Sequence, residues 1–89
     1  MKKTIYTARH ELLRRALVAM REGAGLNQRQ LARKLHRENS FVSRIEVGQR
    51  RVDLVEFYSL CEACGANPVK AASRLMRQFK RLADPPASD

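Results

Sequence analysis

Residues 26–48 read LNQRQLARKLHRENSFVSRIEVG, two short apolar-periodic stretches parted by a polar break at His36, Arg37, Glu38 and Asn39. In the first stretch Asn27 is a good helix cap, and Leu31, Ala32 and Leu35 fall on one stripe. That pattern predicts a helix of barely two turns over residues 28–35. In the second, Val42 and Ile45 with the flanking Phe41 mark an inner side, and Gly48 supplies a left-handed stop. Ser40, Ser43, Arg44 and Val47 then face outward, with Asn39 at the leading end.

Outward from this corner, the chain continues in helical spacing. Thr7 can cap a helix whose apolar positions Leu13, Ala16, Leu17 and Met20 recur at i, i+3, i+4 and i+7 and which stops at Gly23-Ala24-Gly25. Asp53 and Glu56 have capping-box spacing, and Leu54, Phe57, Leu60, Cys61 and Cys64 carry a fourth helix to Gly65. Asn67-Pro68 reads as cap plus first helical residue of a fifth. Its apolar face is Val69, Ala72, Leu75, Met76 and Phe79, and Lys70, Arg74, Arg77 and Arg81 form a basic stripe. Only Thr4-Ile5-Tyr6 alternates like a strand, so the expected fold is all-α with five helices. It comprises a basic arm over residues 1–6, one domain over 7–83 and a frayed tail over 84–89.

Composition narrows the function. At 89 residues the chain makes one small domain, burying roughly 60–65% of its unfolded surface, with no room for a second core or a deep catalytic cleft. Lys+Arg number 18 against 9 Asp+Glu, a formal charge of +9, which points to a polyanionic partner, nucleic acid before membrane. The charge is uneven: residues 1–51 hold thirteen bases and four acids, residues 52–69 three acids and no base, and residues 70–83 five bases and no acid. Met1-Lys2-Lys3 leads into Thr4, Tyr6, Thr7 and Arg9 rather than an apolar run, so a cytosolic chain is expected. Cys61 and Cys64 would there remain thiols. A zinc site needs about four ligands and no second cysteine pair exists, so no metal or other cofactor is expected. His10 and His36 lack ligand spacing and are read as solvent-facing or turn residues.

Two short helices at a fixed corner suit one task well. A major groove about 12 Å wide admits one helix, provided a second element grips the backbone. Asn pairs bidentately with adenine, Arg with guanine, and Ser with either kind of edge, at roughly 1–3 kcal/mol per good bidentate pair. On this chemistry Arg44 and Asn39 are the leading candidates for base contact. Arg50 and Arg51, just past the second helix, are candidates for phosphates. Phe41 reads as packing rather than as a thymine contact. The basic stripe of helix five reads equally as a solvated face, a phosphate contact or the border of a dimer seam made by Leu75, Met76 and Phe79.

At this point a family resemblance enters. Arg21, Ala24-Gly25-Leu26, Asn27-Gln28-x-x-Leu31-Ala32, Ser40-Phe41-Val42-Ser43-Arg44-Ile45-Glu46-x-Gly48, Arg50-Arg51-x-Asp53 and Gly65-Ala66-Asn67-Pro68 together resemble the Xre family of Cro- and phage-repressor-like helix-turn-helix regulators, over about residues 6–76. The resemblance implies a compact five-helix, lambda-repressor-like domain that binds operator DNA as a homodimer, with helix three reading the groove. By position, Asn39, Ser40, Ser43 and Arg44 would face bases, and Asn27, Gln28 and Arg37, with Arg50 and Arg51, would touch phosphates. Arg21 and Glu46 would form a structural ion pair. His36 stands where the family usually has Gly, and Glu38 where it often has Ser, Thr or Pro. Cys61 and Cys64 replace the more usual Ala or Leu. A left-handed His implies a slightly strained or reoriented corner. The rival readings are an antitoxin that binds a toxin chain, an RNA-binding or coactivator module, and a thiol redox enzyme. The RNA reading lacks a stacking platform among three Phe and two Tyr, and the redox reading needs an exposed low-pKa thiolate. No enzyme chemistry is expected.

Overall fold

A computed structural model describes residues 7–82; the expected arm over 1–6 and the tail over 84–89 lie outside the described residues. Five helices follow one another: α1 (Ala8–Gly23), α2 (Gln28–Lys34), α3 (Ser40–Glu46), α4 (Leu54–Ala63) and α5 (Pro68–Arg81). Among the described residues there is no strand, and no helix is long and apolar enough to cross a membrane.

Helix starts follow local side-chain chemistry. Thr7, Asn27, Asp53 and Asn67 each accept the amide hydrogen three residues on, from His10, Gln30, Glu56 and Lys70. At α2 and α4 the bond is reciprocal, because Gln30 and Glu56 reach back to the cap amide. The box at α2 was not anticipated from sequence, although Gln30 sits at the required third position.

The ends of α1 to α4 share one device. In each, a residue with positive φ follows the cap and turns the chain back so that two orphan carbonyls are satisfied. Leu26 N bonds Arg21 O, Arg37 N bonds Ala32 O, Gln49 N bonds Arg44 O and Ala66 N bonds Cys61 O, at 2.9 to 3.2 Å. The left-handed residue is Gly25, Gly48 or Gly65 in three cases, and at the α2–α3 corner it is His36, with φ 58°. His36 occupies the conformation that a Gly would adopt, so the corner keeps its geometry and carries the strain locally.

All five helices feed one core: Leu17 from α1, Leu31 and Ala32 from α2, Phe41, Val42 and Ile45 from α3, Phe57, Leu60 and Cys61 from α4, and Leu75 from α5. α3 packs on α2 and α1, while α5 spans α1 and α4. Arg9 fastens the last pair of termini by donating to the carbonyl of Phe79 from Nε (3.3 Å) and Nη2 (3.1 Å). The expected apolar face of α5 splits. Leu75 is buried and Ala71, Ala72 and Phe79 pack against the core. Val69 (77% exposed) and Met76 (58%) face outward, because α5 packs along its α1 and α4 side.

Replacing His36 by Gly should stabilise the domain by about 0.5–1 kcal/mol. Relief of a left-handed side chain, about 1–2 kcal/mol, outweighs the added freedom of the unfolded chain, about 0.4–1 kcal/mol. Urea unfolding followed by circular dichroism tests this, and a lower midpoint for the variant would refute the strain assignment.

Candidate nucleic-acid interface

The corner is fixed to the body by one carboxylate. Glu46, in the last turn of α3, has a side chain only 8% exposed. Arg21, near the end of α1, donates to it twice, from Nε to Oε2 at 2.7 Å and from Nη2 to Oε1 at 3.1 Å. The third arm of the same guanidinium, Nη1, donates to the carbonyl of Leu26 at 2.9 Å. Gln28, the first residue of α2, donates from Nε2 to Glu46 Oε1 at 2.7 Å. One acid thus ties α1, α2 and α3 together with charge-assisted bonds. The hydrogen bond to Glu46 holds the Arg21 guanidinium above even its usual high pKa.

A second acid organises the far side of α3. The guanidinium of Arg50 pairs with both oxygens of Glu56, at 2.9 and 2.8 Å, and also donates to the Arg51 carbonyl at 2.8 Å. Arg37 approaches the same carboxylate at 3.6 Å. Both guanidiniums lie over the ring of Phe41, at 4.0 Å for Arg37 and 4.7 Å for Arg50, within cation–π range. Phe41 itself is 2% exposed and belongs to the core, so it packs rather than meets a base. The hydrogen bond from Arg50, helped by the Asp53 amide and by Arg37, holds Glu56 down at about 2 from its ordinary 4.5. Sequence reading gave Glu56 only a capping role and missed this hub; its signal was an acid six residues after Arg50, just past the basic pair Arg50-Arg51.

With the inner side committed, the outer side of α3 stands open. Asn39 is exposed, and it alone of the five cap residues has helical φ and ψ and makes no side-chain cap bond. Its amide therefore keeps both donor and acceptor for another molecule. Arg44 is exposed, with no acceptor for its guanidinium among the described residues. Ser40 is half-buried, and Ser43 Oγ donates back to the Ser40 carbonyl at 3.1 Å. Val47, next along, is 56% exposed.

The remaining candidates are engaged within the chain. Asn27 Oδ1 is taken by the Gln30 amide, leaving its Nδ2. The Gln28 amide nitrogen is taken by Glu46, so its outward reach is through the backbone. Arg51 is exposed and its Nη1 lies 3.3 Å from His10 Nε2. His10 is not solvent-facing as expected: it is half-buried in the first turn of α1, its Nδ1 2.8 Å from Thr7 Oγ1. His36 is exposed in the turn. Cys61 is fully buried and Cys64 half-buried, both unpaired thiols. Burial pushes both thiols up from their usual range, which is opposite to what an activated thiolate requires.

Two tests follow from the acids. Arg21→Ala strands a nearly buried carboxylate and should cost about 3–5 kcal/mol of stability; a loss under about 0.5 kcal/mol in urea unfolding would show that the clamp does not matter. Glu56 binds its proton less readily folded than unfolded. Its contribution is therefore complete above the ordinary pKa of 4.5 and is lost as pH falls toward 2. Allowing for solvent at a side chain 19% exposed, it amounts to about 1–2 kcal/mol. Glu56→Gln should flatten that part of the stability profile, and an unchanged slope between pH 4.5 and 2 would count against the pairing.

Comparison with known proteins places this geometry. A sequence model of the helix-turn-helix domain matches residues 12–73. No curated protein sequence matches the chain. An XRE-family like protein from Pseudomonas syringae is 38% identical, with 80% of this chain and 87% of that one covered and a TM-score of 0.76. The restriction-modification controller protein C.AhdI from Aeromonas hydrophila is 31% identical over 73% of this chain and 98% of that one, TM-score 0.65. The clp gene regulator ClgR from Corynebacterium glutamicum is 26% identical over 84% of each chain, TM-score 0.63. With a clamped two-helix corner, an open polar face on its second helix and these relatives, the chain belongs to the Xre family of helix-turn-helix DNA-binding transcription regulators.

Proposed function

We propose that the protein is a repressor that binds a palindromic operator in double-stranded DNA as a homodimer and blocks transcription by occupying it. The observation that carries this reading is the contrast within α3: Phe41, Val42, Ile45 and Glu46 are held inside, while Asn39 and Arg44 lie exposed and uncommitted. α3 enters the major groove with Asn39, Ser40, Ser43 and Arg44 toward base edges. Asn27, Gln28, Arg37, Arg50 and Arg51 flank it toward phosphates, Gln28 through its backbone amide and Arg50 while retaining Glu56.

Seven residues of helix span about 10 Å, or about three base pairs, too few to specify a site alone. A second copy across half-sites about 34 Å apart doubles the contact. Support for a seat for that copy comes from Leu54 (76% exposed), Val55 (74%) and Tyr58 (54%) on α4 with Met76 (58%) on α5, an outward apolar set. Of the seam residues considered from sequence, Met76 is the exposed one; Leu75 is buried and Phe79 half-buried, both lining the shallow groove that Leu54 and Met76 share.

Selection of bound sequences from random duplex DNA tests the assignment. The wild type should return a two-fold symmetric motif, and Arg44→Ala should relax one position in each half-site, at about 1–3 kcal/mol. Gln28→Ala keeps the backbone amide but loses the hydrogen bond to Glu46 that helps set α3, and should weaken all sequences alike by that route. An unaltered motif from the Arg44 variant would remove that residue from base readout, and no enrichment of any motif by the wild type would remove the function.

A further inference from the structure

Away from the corner, α1 and α5, with Phe57 of α4 and Ala66 of the α4–α5 turn, line an open trough of about 640 Å³. No residue between positions 26 and 48 lines it, so it is separate from the DNA-facing corner. Its floor is apolar and low, because Ala16, Ala19 and Ala71 stand where larger side chains would have filled the space beside Leu12 and Leu75. Its rim is cationic: Arg15 on the α1 side, and Lys70 and Arg74, one turn apart, on the α5 side. All three are exposed. Among the described residues no Asp or Glu lines the trough; Glu11, which pairs with Arg15 at 2.9 Å, lies one turn back along α1.

We propose that this trough is a docking groove for an acidic amphipathic helix of a partner protein. The partner's apolar stripe would seat over Ala16, Ala19 and Ala71, and its carboxylates would pair with Arg15, Lys70 and Arg74. Charge complementarity selects this occupant. A DNA backbone would satisfy the cations but offers nothing to the apolar floor. A second copy of this chain meeting the same face would set cation against cation. A small ligand would remain largely in solvent, since the trough is open along its length, whereas a helix laid lengthwise covers it. From Asn67 to Gln78 the α5 wall runs about 16 Å, which matches a partner helix of about 11–14 residues. Such a segment is marginally helical alone and orders on binding, so moderate affinity is expected. The inference does not rest on the assignment of α3 to base readout.

The test uses the full chain and a fluorescein-labelled synthetic peptide of about 14 residues, with leucines at i, i+3, i+4 and i+7 and glutamates beside them. Controls are a scrambled peptide of the same composition and a version with lysine for glutamate. Fluorescence anisotropy should give a dissociation constant on the order of 10 µM for the glutamate peptide and at least about tenfold weaker binding for both controls. The exposed pair Lys70→Glu with Arg74→Glu should weaken the glutamate peptide at least about tenfold. Ala71→Phe, checked for folding by circular dichroism, should do the same by filling the floor. Amide shifts on peptide addition should cluster in α1 and α5 and spare α3. Equal binding of the glutamate and scrambled peptides, or indifference to the charge reversal, overturns the proposal. If the double reversal weakens duplex DNA while the peptide shows no preference, the rim is a phosphate surface and the groove assignment fails.

Discussion

The carboxylate of Glu46 is the constraint on which the molecule's working geometry depends. It is almost enclosed, and a buried charge is tolerated only when its lone pairs are met. Arg21 and Gln28 meet them from two different helices. Had the partners come from one helix, the pair would have stabilised that helix alone. Because they come from α1 and α2, the angle of α3 to both is set by bonds of defined direction. Apolar packing by itself, being non-directional, would leave α3 free to slide. The side chains on its outer face therefore project from a rigid support, which is what recognition at ångström precision requires.

Glu46 and Glu56 also sort the basic residues. The chain carries twice as many bases as acids, yet near the corner these two acids engage Arg21, Arg50 and Arg37. Among the described residues, exposed cations with no acid partner remain on α2, α3 and α5. Arg44 stands on the open side of α3, and Lys70 and Arg74 stand along α5. Net charge draws the molecule to a polyanion from a distance, but the acids decide which faces keep a positive end to offer.

The residues that made the fold legible were those with local meaning. Thr7, Asn27, Asp53 and Asn67 are caps because of their own short oxygens, and Gly25, Gly48 and Gly65 are stops because of their own backbone freedom. The apolar periods then placed the five helices to within a residue or two. What escaped was long-range. Gln28 is expected to touch a phosphate, and nothing local shows that its side chain is taken by Glu46, 18 positions on. Arg50 is expected to reach a phosphate, and only the α4 cap, which turns Glu56 toward it, reveals an acid partner within the chain. On α5, Leu75 and Met76 are neighbours of equal hydrophobicity, and only the placement of α1 and α4 decides that one is buried and the other exposed.

The two helices of the corner are seven residues each, too short to persist unaided. Together they nevertheless supply Leu31, Ala32, Phe41, Val42 and Ile45, half of the ten buried apolar side chains among the described residues. The part of the molecule that would touch another is thus the same material that holds the molecule together. It cannot loosen as a separate unit while the rest stays folded. Warming the protein should consequently extinguish recognition and structure in a single transition, so its upper working temperature is set by its global melting and not by the fraying of an appendage.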